Sequence, residues 1–350
     1  MNSQWISHLS LLRYLDLSHV ELHHVSDWME VTNSLPSFVV LRLSDCNLSF
    51  NSIPSIHHIN FSSLAILDLS YNYYYSENTS IPKWVFNIRS LTSLDLSYNY
   101  FIGPISEGIQ NLTPLTHLDL SENRFNISSI PTSLYGLSRL EFLDLGSNQL
   151  SGTILSDINI LTSIISFDLS SNELEGKLPT VGTQICKLKE INLSDNKWNQ
   201  SISQVLDSLC GCVSDGLEVL DVCYSQLFGS LDCSQIWKFK ALTQIDLCLN
   251  SINGPIPASL GNVLSLRYID LSSNHFNGCL PESFGQLAKL EKLYISNNYL
   301  EGNISEAHFA ITTKLIWLFA FDNQLTLDVS PTWIPPFQPE GLFLGSFNLG

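Results

Sequence analysis

Apolar residues return along this chain in one spacing, and polar residues fill the same gaps each time. The stretch Leu140-Glu141-Phe142-Leu143-Asp144-Leu145-Gly146-Ser147-Asn148-Gln149-Leu150 shows the whole pattern. It recurs fourteen times, with its second apolar position at 15, 41, 67, 94, 118, 143, 167, 191, 220, 245, 269, 293, 318 and 342. Successive intervals are 24 to 27 residues, apart from one of 29 between Ile191 and Leu220. Around each marker, apolar and polar residues alternate, as on a strand with one face buried. The apolar pair points inward, and the intervening Asp and the following Ser point to solvent. A single module cannot bury its apolar set, whereas stacked modules share a continuous core. Each buried Leu or Ile contributes roughly 1.5–3 kcal/mol, so the contact between modules carries the stability.

Two further patterns follow each strand. Asn recurs three residues after the second Leu of the pair, at 72, 99, 123, 148, 172, 196, 250, 274, 298 and 323. A side-chain amide offers two donors and an acceptor, enough to satisfy backbone groups that a buried bend would leave unpaired. Val20, Ser225 and Phe347 depart from the rule, and Cys46 is an accepted substitute. Next come Gly103-Pro104-Ile105, Gly176-Lys177-Leu178-Pro179, Gly254-Pro255-Ile256-Pro257, Gly278-Cys279-Leu280-Pro281 and Gly302-Asn303-Ile304. They predict a tight turn into a short second strand. Segments such as Ile130 to Leu137, with apolar residues at helical spacing, predict helical turns on the opposite side.

Together these residues make the period and pattern of a leucine-rich repeat. The expected fold is an α/β-type leucine-rich-repeat solenoid of about 14 repeats, with a curved parallel concave β-sheet and helical or 3-10 turns on the convex side. Residues 1–350 are expected to form one such solenoid, uncapped and entered mid-repeat at both ends. The Asn-x-Leu-x-Gly-x-Ile-Pro form of the repeat resembles plant extracellular leucine-rich-repeat receptors. Ile81-Pro82-Lys83-Trp84-Val85-Phe86-Asn87, the run Trp333-Ile334-Pro335-Pro336-Phe337-Gln338 and the long repeat around Val205 to Leu209 are similar to receptor-like proteins of the ethylene-inducing-xylanase receptor group. That resemblance covers essentially the whole chain. It implies a plasma-membrane receptor ectodomain whose membrane span and short tail would lie outside these residues. The longest apolar run, Leu315 to Phe321, falls far short of the ~18 residues of a span.

The sequence holds eight glycosylation sequons, at Asn47, Asn60, Asn78, Asn111, Asn126, Asn192, Asn199 and Asn303. Asn47, Asn60, Asn78, Asn126, Asn199 and Asn303 are the expected attachment sites. Pro114 disfavours Asn111, and Asn192 falls in a predicted concave strand. Eight cysteines in 350 residues do not amount to a disulfide framework. Cys223 and Cys248, however, share one outward position on adjacent strands, within disulfide reach. Cys210 and Cys212 lie in the long repeat and could pair elsewhere or stay free.

A net charge of −17 argues against nucleic acid and anionic membrane as partners. Part of that charge is ordered: Asp16, Asp68, Asp95, Asp119, Asp144, Asp168, Asp221, Asp246 and Asp270 all sit between the paired apolar residues. They predict an acidic column along the concave sheet, with mutual repulsion raising some pKa values. The column either receives basic ligands or only hydrogen-bonds neighbouring Ser. In the last three units Tyr294, Phe319 and Phe343 replace it, with Tyr268, Trp317 and Phe321 beside them. Outward aromatic rings supply binding hot spots, unless following repeats or the loop near Pro335, Pro336 and Pro339 cover them.

No phosphate-cradling Gly loop, nucleophile elbow or zinc-protease motif occurs. His23-His24 and His57-His58 have no Cys, Asp or Glu at metal-ligand spacing, and Tyr73-Tyr74-Tyr75 reads as an exposed loop. The expectation is therefore a non-enzymatic recognition module without cofactor or metal, in defence or developmental signalling. Its partners would be a protein or peptide ligand and a co-receptor. Alternatives are a soluble polygalacturonase-inhibitor-like protein, a receptor-kinase ectodomain, or a truncated product without activity of its own.

Overall fold

The computed structural model describes residues 4–25, 27–35, 37–50, 59–73, 79–126, 130–231 and 236–349. Asn78, the pair His57-His58, Tyr74 and Tyr75 lie outside the described residues. Two compact units are present, Met1–Glu173 and Leu174–Gly350.

In the first unit, Tyr14–Asp16, Val40–Arg42, Ile66–Asp68, Ser93–Asp95, His117–Asp119, Phe142–Asp144 and Ser166–Asp168 form consecutive parallel rungs in that order. Register is unbroken: Leu15 pairs with Leu41, Leu41 with Leu67, Leu67 with Leu94, Leu94 with Leu118, Leu118 with Leu143 and Leu143 with Phe167. Each rung is centred on its expected marker. The second unit repeats the arrangement with Glu190–Asn192, Val219–Asp221, Gln244–Asp246, Tyr268–Asp270, Lys292–Tyr294, Trp317–Phe319 and Gly341–Phe343. Most rungs bury the central residue and leave its two neighbours half-buried or exposed, the signature of a sheet with one packed face.

Behind the sheet the apolar residues form the core; Leu143, Leu145 and Leu150 in the first unit and Leu220, Ile245 and Leu271 in the second are fully buried. The far side is closed by short helical turns such as Glu107–Asn111 and Thr132–Tyr135 in the first unit and Glu282–Gln286 in the second. The expected second strands exist as well. Ile102–Gly103 pairs with Arg124–Phe125, and six strands from Phe228–Ser230 to Asn348–Leu349 line the second unit.

The 29-residue interval contains two helices, Ile202–Leu209 and Cys212–Gly216. The first has reciprocal caps: Ser201 Oγ accepts from Gln204 N, and Ser201 N donates to Gln204 Oε1. The extra residues are thus absorbed on the helical side, and Ile191 still pairs with Leu220 on the sheet.

The Asn residues are buried and fully engaged, not surface sites. Asn72 Nδ2 donates to Leu43 O and Leu69 O at 2.9 Å and to Ser70 O at 3.0 Å. Its Oδ1 accepts from Cys46 N and Leu48 N, both at 3.0 Å. One amide therefore ties the bend of its own rung to the preceding one. At the irregular positions, Ser225 Oγ donates to Leu193 O and Cys46 Sγ to Leu17 O, so both keep a donor where the Asn would sit.

Candidate functional site

The outer face of each sheet carries the side chains that flank the buried markers. In the first unit Asp68, Asp95, Asp119, Asp144 and Asp168 are successive register partners, and Arg42 stands between Asp16 and Asp68. The carboxylates are tied down locally. Asp68, Asp95 and Asp119 each accept from the backbone N and the hydroxyl of Ser70, Ser97 and Ser121, the hydroxyl contacts being 2.7 Å. Asp144 accepts from the backbone N of Gly146, at 2.8 Å, with no hydroxyl two residues on. In the second unit the column runs Asn192, Asp221, Asp246, Asp270 and then Tyr294, Phe319 and Phe343.

Burial, more than repulsion, disturbs the titration of these groups. It pushes Asp95 up to about 6 and both Asp144 and Asp246 up to about 7, with neighbouring carboxylates a smaller cause. Asp270 is also raised by burial. The expected repulsion does raise these values, as a smaller cause than burial. At Asp144 and Asp246 the residue two positions on is Gly146 or Cys248, neither of which brings a hydroxyl to offset the burial.

The six aromatic residues singled out in the sequence come together on the outer face of the second unit. Tyr268 Oη donates to Asp246 Oδ2 at 3.1 Å and to Asp270 Oδ2 at 3.3 Å, joining the acidic column to the aromatic one. Ring centroids of Tyr294 and Phe319 are 4.8 Å apart, and those of Phe319 and Phe343 are 4.2 Å apart and nearly parallel. Trp317 lies almost parallel to Phe343, and Phe321 meets Phe319 edge-on. The rings shield one another: Phe343 is 45% exposed and the other five are half-buried. Lys292, exposed on the same face, is register partner to both Tyr268 and Trp317. The Pro-rich run does not cover this slab by its rings; Trp333 and Phe337 pack against Phe309 on the helical side.

Two disulfides join the described cysteines, and of the two alternatives left open for Cys210 and Cys212 each is met once. Cys223 and Cys248 form a disulfide on the outer face, with Cα atoms 4.6 Å apart. Cys212 is not free; it is bonded to Cys186, with Cα atoms 5.0 Å apart. Both pairs are separated by about one repeat, 26 and 25 residues. Among the described residues Cys46, Cys210 and Cys279 are free thiols. His23 Nδ1 lies 2.6 Å from Glu21 Oε1, so a carboxylate does accompany that histidine pair.

Among the expected glycan sites Asn60, Asn126, Asn199 and Asn303 are exposed. Asn47 is half-buried and its Nδ2 donates to Glu21. Asn192 Oδ1 accepts from Ser194 N and Oγ and sits within a rung. A second ring cluster in the first unit was not legible as a site. Tyr71 stacks on Tyr98 at 4.2 Å, Tyr73 approaches Tyr100 at 5.4 Å, and Arg124 lies 4.2 Å over the Tyr100 ring. Tyr73 is therefore packed, not a free loop residue.

The Leucine rich repeat family profile matches residues 89–150 and 265–325, within the two stacks of parallel rungs just described. The chain has the leucine-rich-repeat fold. A 124-residue stretch is 36% identical to Receptor-like protein EIX1 of Solanum lycopersicum, covering 34% of this chain and 12% of that relative. Over that stretch the chain is similar to a plant receptor-like protein, in line with the resemblance its sequence motifs carry. The crystal structure of a TDR receptor superposes over 93% of this chain and 59% of its own, with a TM-score of 0.75 and 24% identity. The Arabidopsis receptor kinase HAESA, in complex with the peptide hormone IDA and the co-receptor SERK1, matches 93% of this leucine-rich-repeat chain. It does so over 60% of its own length, with a TM-score of 0.62 and 25% identity. The chain thus spans less than two thirds of each of these relatives. No helix among its described residues is long and apolar enough to cross a membrane.

Proposed function

We propose that this chain is the non-enzymatic recognition part of a plant cell-surface receptor-like protein. It acts at the extracellular face of the plasma membrane, in defence or developmental signalling. The observation that carries the reading is the aromatic slab of Tyr294, Trp317, Phe319 and Phe343, continuous with an acidic column through Tyr268. Rings held in place by their neighbours lose little conformational freedom on binding, which favours hot-spot behaviour. No sequon lies between Asn199 and Asn303, so Tyr268 and Tyr294 stand in a stretch without glycan attachment. The ligand is a peptide or protein that places an apolar side chain on the slab and a basic one toward Asp246 and Asp270. A co-receptor, as in the HAESA complex with IDA and SERK1, is the second partner.

A phage-displayed random peptide library selected on the immobilised chain tests this. The expected binders lose affinity by about thirtyfold, or ~2 kcal/mol, on the double variant Trp317→Ala, Phe319→Ala. Binders that hold equally well to that variant, with its far-UV dichroism unchanged, remove the slab from the proposal.

A further inference from the structure

Two rungs of the second unit carry the same outward tripeptide spacing, Asp221-Val222-Cys223 and Asp246-Leu247-Cys248. Parallel register sets Asp221 opposite Asp246. Because alternate residues of a strand share a face, two carboxylates and two sulfurs are brought to one patch. The Cys223 and Cys248 sulfurs and an Asp246 oxygen all lie within 4.8 Å of one another. Cys223 N donates to Asp221 Oδ1 and Cys248 N to Asp246 Oδ1, both at 3.0 Å, which fixes the strands relative to the side chains. Tyr268 Oη reaches Asp246 Oδ2 at 3.1 Å, the kind of outer contact that orients a ligating carboxylate.

We propose that this patch is an exchangeable staple, a disulfide when oxidised and a site for a thiolate-preferring divalent cation, Zn2+, when reduced. Opening it takes two electrons and two protons. A water-soluble phosphine delivers them, becoming the phosphine oxide with the oxygen of water, and leaves Cys223 and Cys248 as thiols. Zn2+ then binds both sulfurs, each thiol losing its proton to the buffer, and takes Asp246 as the third ligand. Tetrahedral Zn–S bonds of about 2.3 Å set the sulfurs roughly 3.8 Å apart, and Cα atoms 4.6 Å apart allow that by side-chain rotation. Asp221 supplies a second negative charge at the rim, and solvent holds the fourth position. The cation joins the same two rungs that the disulfide joins.

The test uses the full chain reduced with the phosphine, in a Cys186→Ser, Cys210→Ser, Cys212→Ser, Cys279→Ser background that removes the thiols of the second disulfide and two free competing thiols. Co2+ is the spectroscopic probe and Zn2+ the competitor. The expected result is one Co2+ per chain with a thiolate charge-transfer band and tetrahedral visible bands, both abolished by Zn2+ and absent from the oxidised chain. Cys223→Ser removes the bands, and Asp246→Asn weakens Co2+ binding on the order of tenfold or more. Zn2+ also raises the melting temperature of the reduced parent and leaves that of Cys223→Ser unchanged, a readout independent of the spectrum. Bands that persist in Cys223→Ser, an unchanged Co2+ affinity in Asp246→Asn, or no band from a reduced chain with native far-UV dichroism each overturn the proposal.

Discussion

The Trp317 indole lies across the backbone of Gly341 on the next rung, in the space that a side chain at Gly341 would need. Gly341 is buried, and a methyl group there would meet both the six-membered ring of Trp317 and the Phe343 ring. The slab's flatness thus depends on an absent side chain. Gly341→Ala is expected to push Trp317 off its neighbour and to cost about 1–3 kcal/mol through overpacking. Trp317 fluorescence and near-UV dichroism should change together with the melting temperature. Gly341→Ala combined with Trp317→Ala should recover part of the lost stability, because it removes the nearer of the two rings that the methyl group meets. A double variant as unstable as the single one shows that Gly341 matters for some other reason.

Asn148 offers the sharpest stability test of the buried amide row. Its Nδ2 donates to Leu120 O at 3.0 Å and to Leu145 O and Gly146 O at 3.1 Å, and its Oδ1 accepts from Phe125 N at 3.1 Å. Asn148→Ala strands those backbone groups in the core, and leaving buried groups unpaired costs about 1–3 kcal/mol each at the outset. A loss of roughly 3 kcal/mol in urea unfolding of the first-unit transition is expected. Asn148→Asp should be worse, since it replaces three donated bonds by an acceptor-only group that is charged near neutrality. Asn148→Cys should be milder, because Cys46 keeps one donated bond, to Leu17 O, at the equivalent bend.

The acidic column makes stability depend on pH in a defined direction. Burial holds Asp95 near 6 and Asp144 and Asp246 near 7 in the folded chain, against about 3.9 for an unfolded Asp. Between those values the folded state binds more protons than the unfolded state, so stability rises as pH falls from above 7 toward 4. The melting temperature of the oxidised chain should therefore be higher at pH 5 than at pH 8. Asp144→Asn with Asp246→Asn should raise it at pH 8 and flatten the difference. A parent chain that melts higher at pH 8 contradicts the assignment of burial as the main cause.

The sheet could be read almost entirely from the spacing of Leu, because a period-two strand inside a repeat leaves few alternatives. Leu67, Leu143 and Ile269 each sit at the centre of a rung as their spacing required. The role of Asn72 followed from amide chemistry, since one side chain with donors and acceptor fits a buried bend. Cys186–Cys212 was hidden because the insertion shifts Cys212 off the outward strand position that revealed Cys223 and Cys248. The Tyr71–Tyr98 stack escaped for a related reason: both residues occupy the turn after the strand, where alternation no longer says which way a ring points. Trp317 over Gly341 depends on two rotamers and one absent Cβ, and periodicity carries no information about either.

Those turns also hold a reserve of strain. The residue before each buried Asn has a left-handed backbone, with φ near +50° at Glu122, Ser147 and Ser171 in the first unit and at Leu249, Ser273 and Asn297 in the second. For an L residue with a bulky side chain that region costs about 1–2 kcal/mol, whereas Asn visits it with less penalty. Leu249, with φ +52° and 52% of its surface exposed, gains little from packing in return. Its N–H donates to Ser272 O at 3.0 Å, a bond that any non-proline residue retains. Asn297 already occupies the equivalent turn two rungs on. Leu249→Asn is therefore expected to stabilise the second unit by about 0.5–1 kcal/mol, seen as a rise of about 1–4 °C in melting temperature. Leu249→Val, β-branched and so worse suited to this region, should lower it. If the Asn variant melts at or below the parent while the Val variant matches it, the turn is unstrained and the preference lies in the buried Asn250 alone.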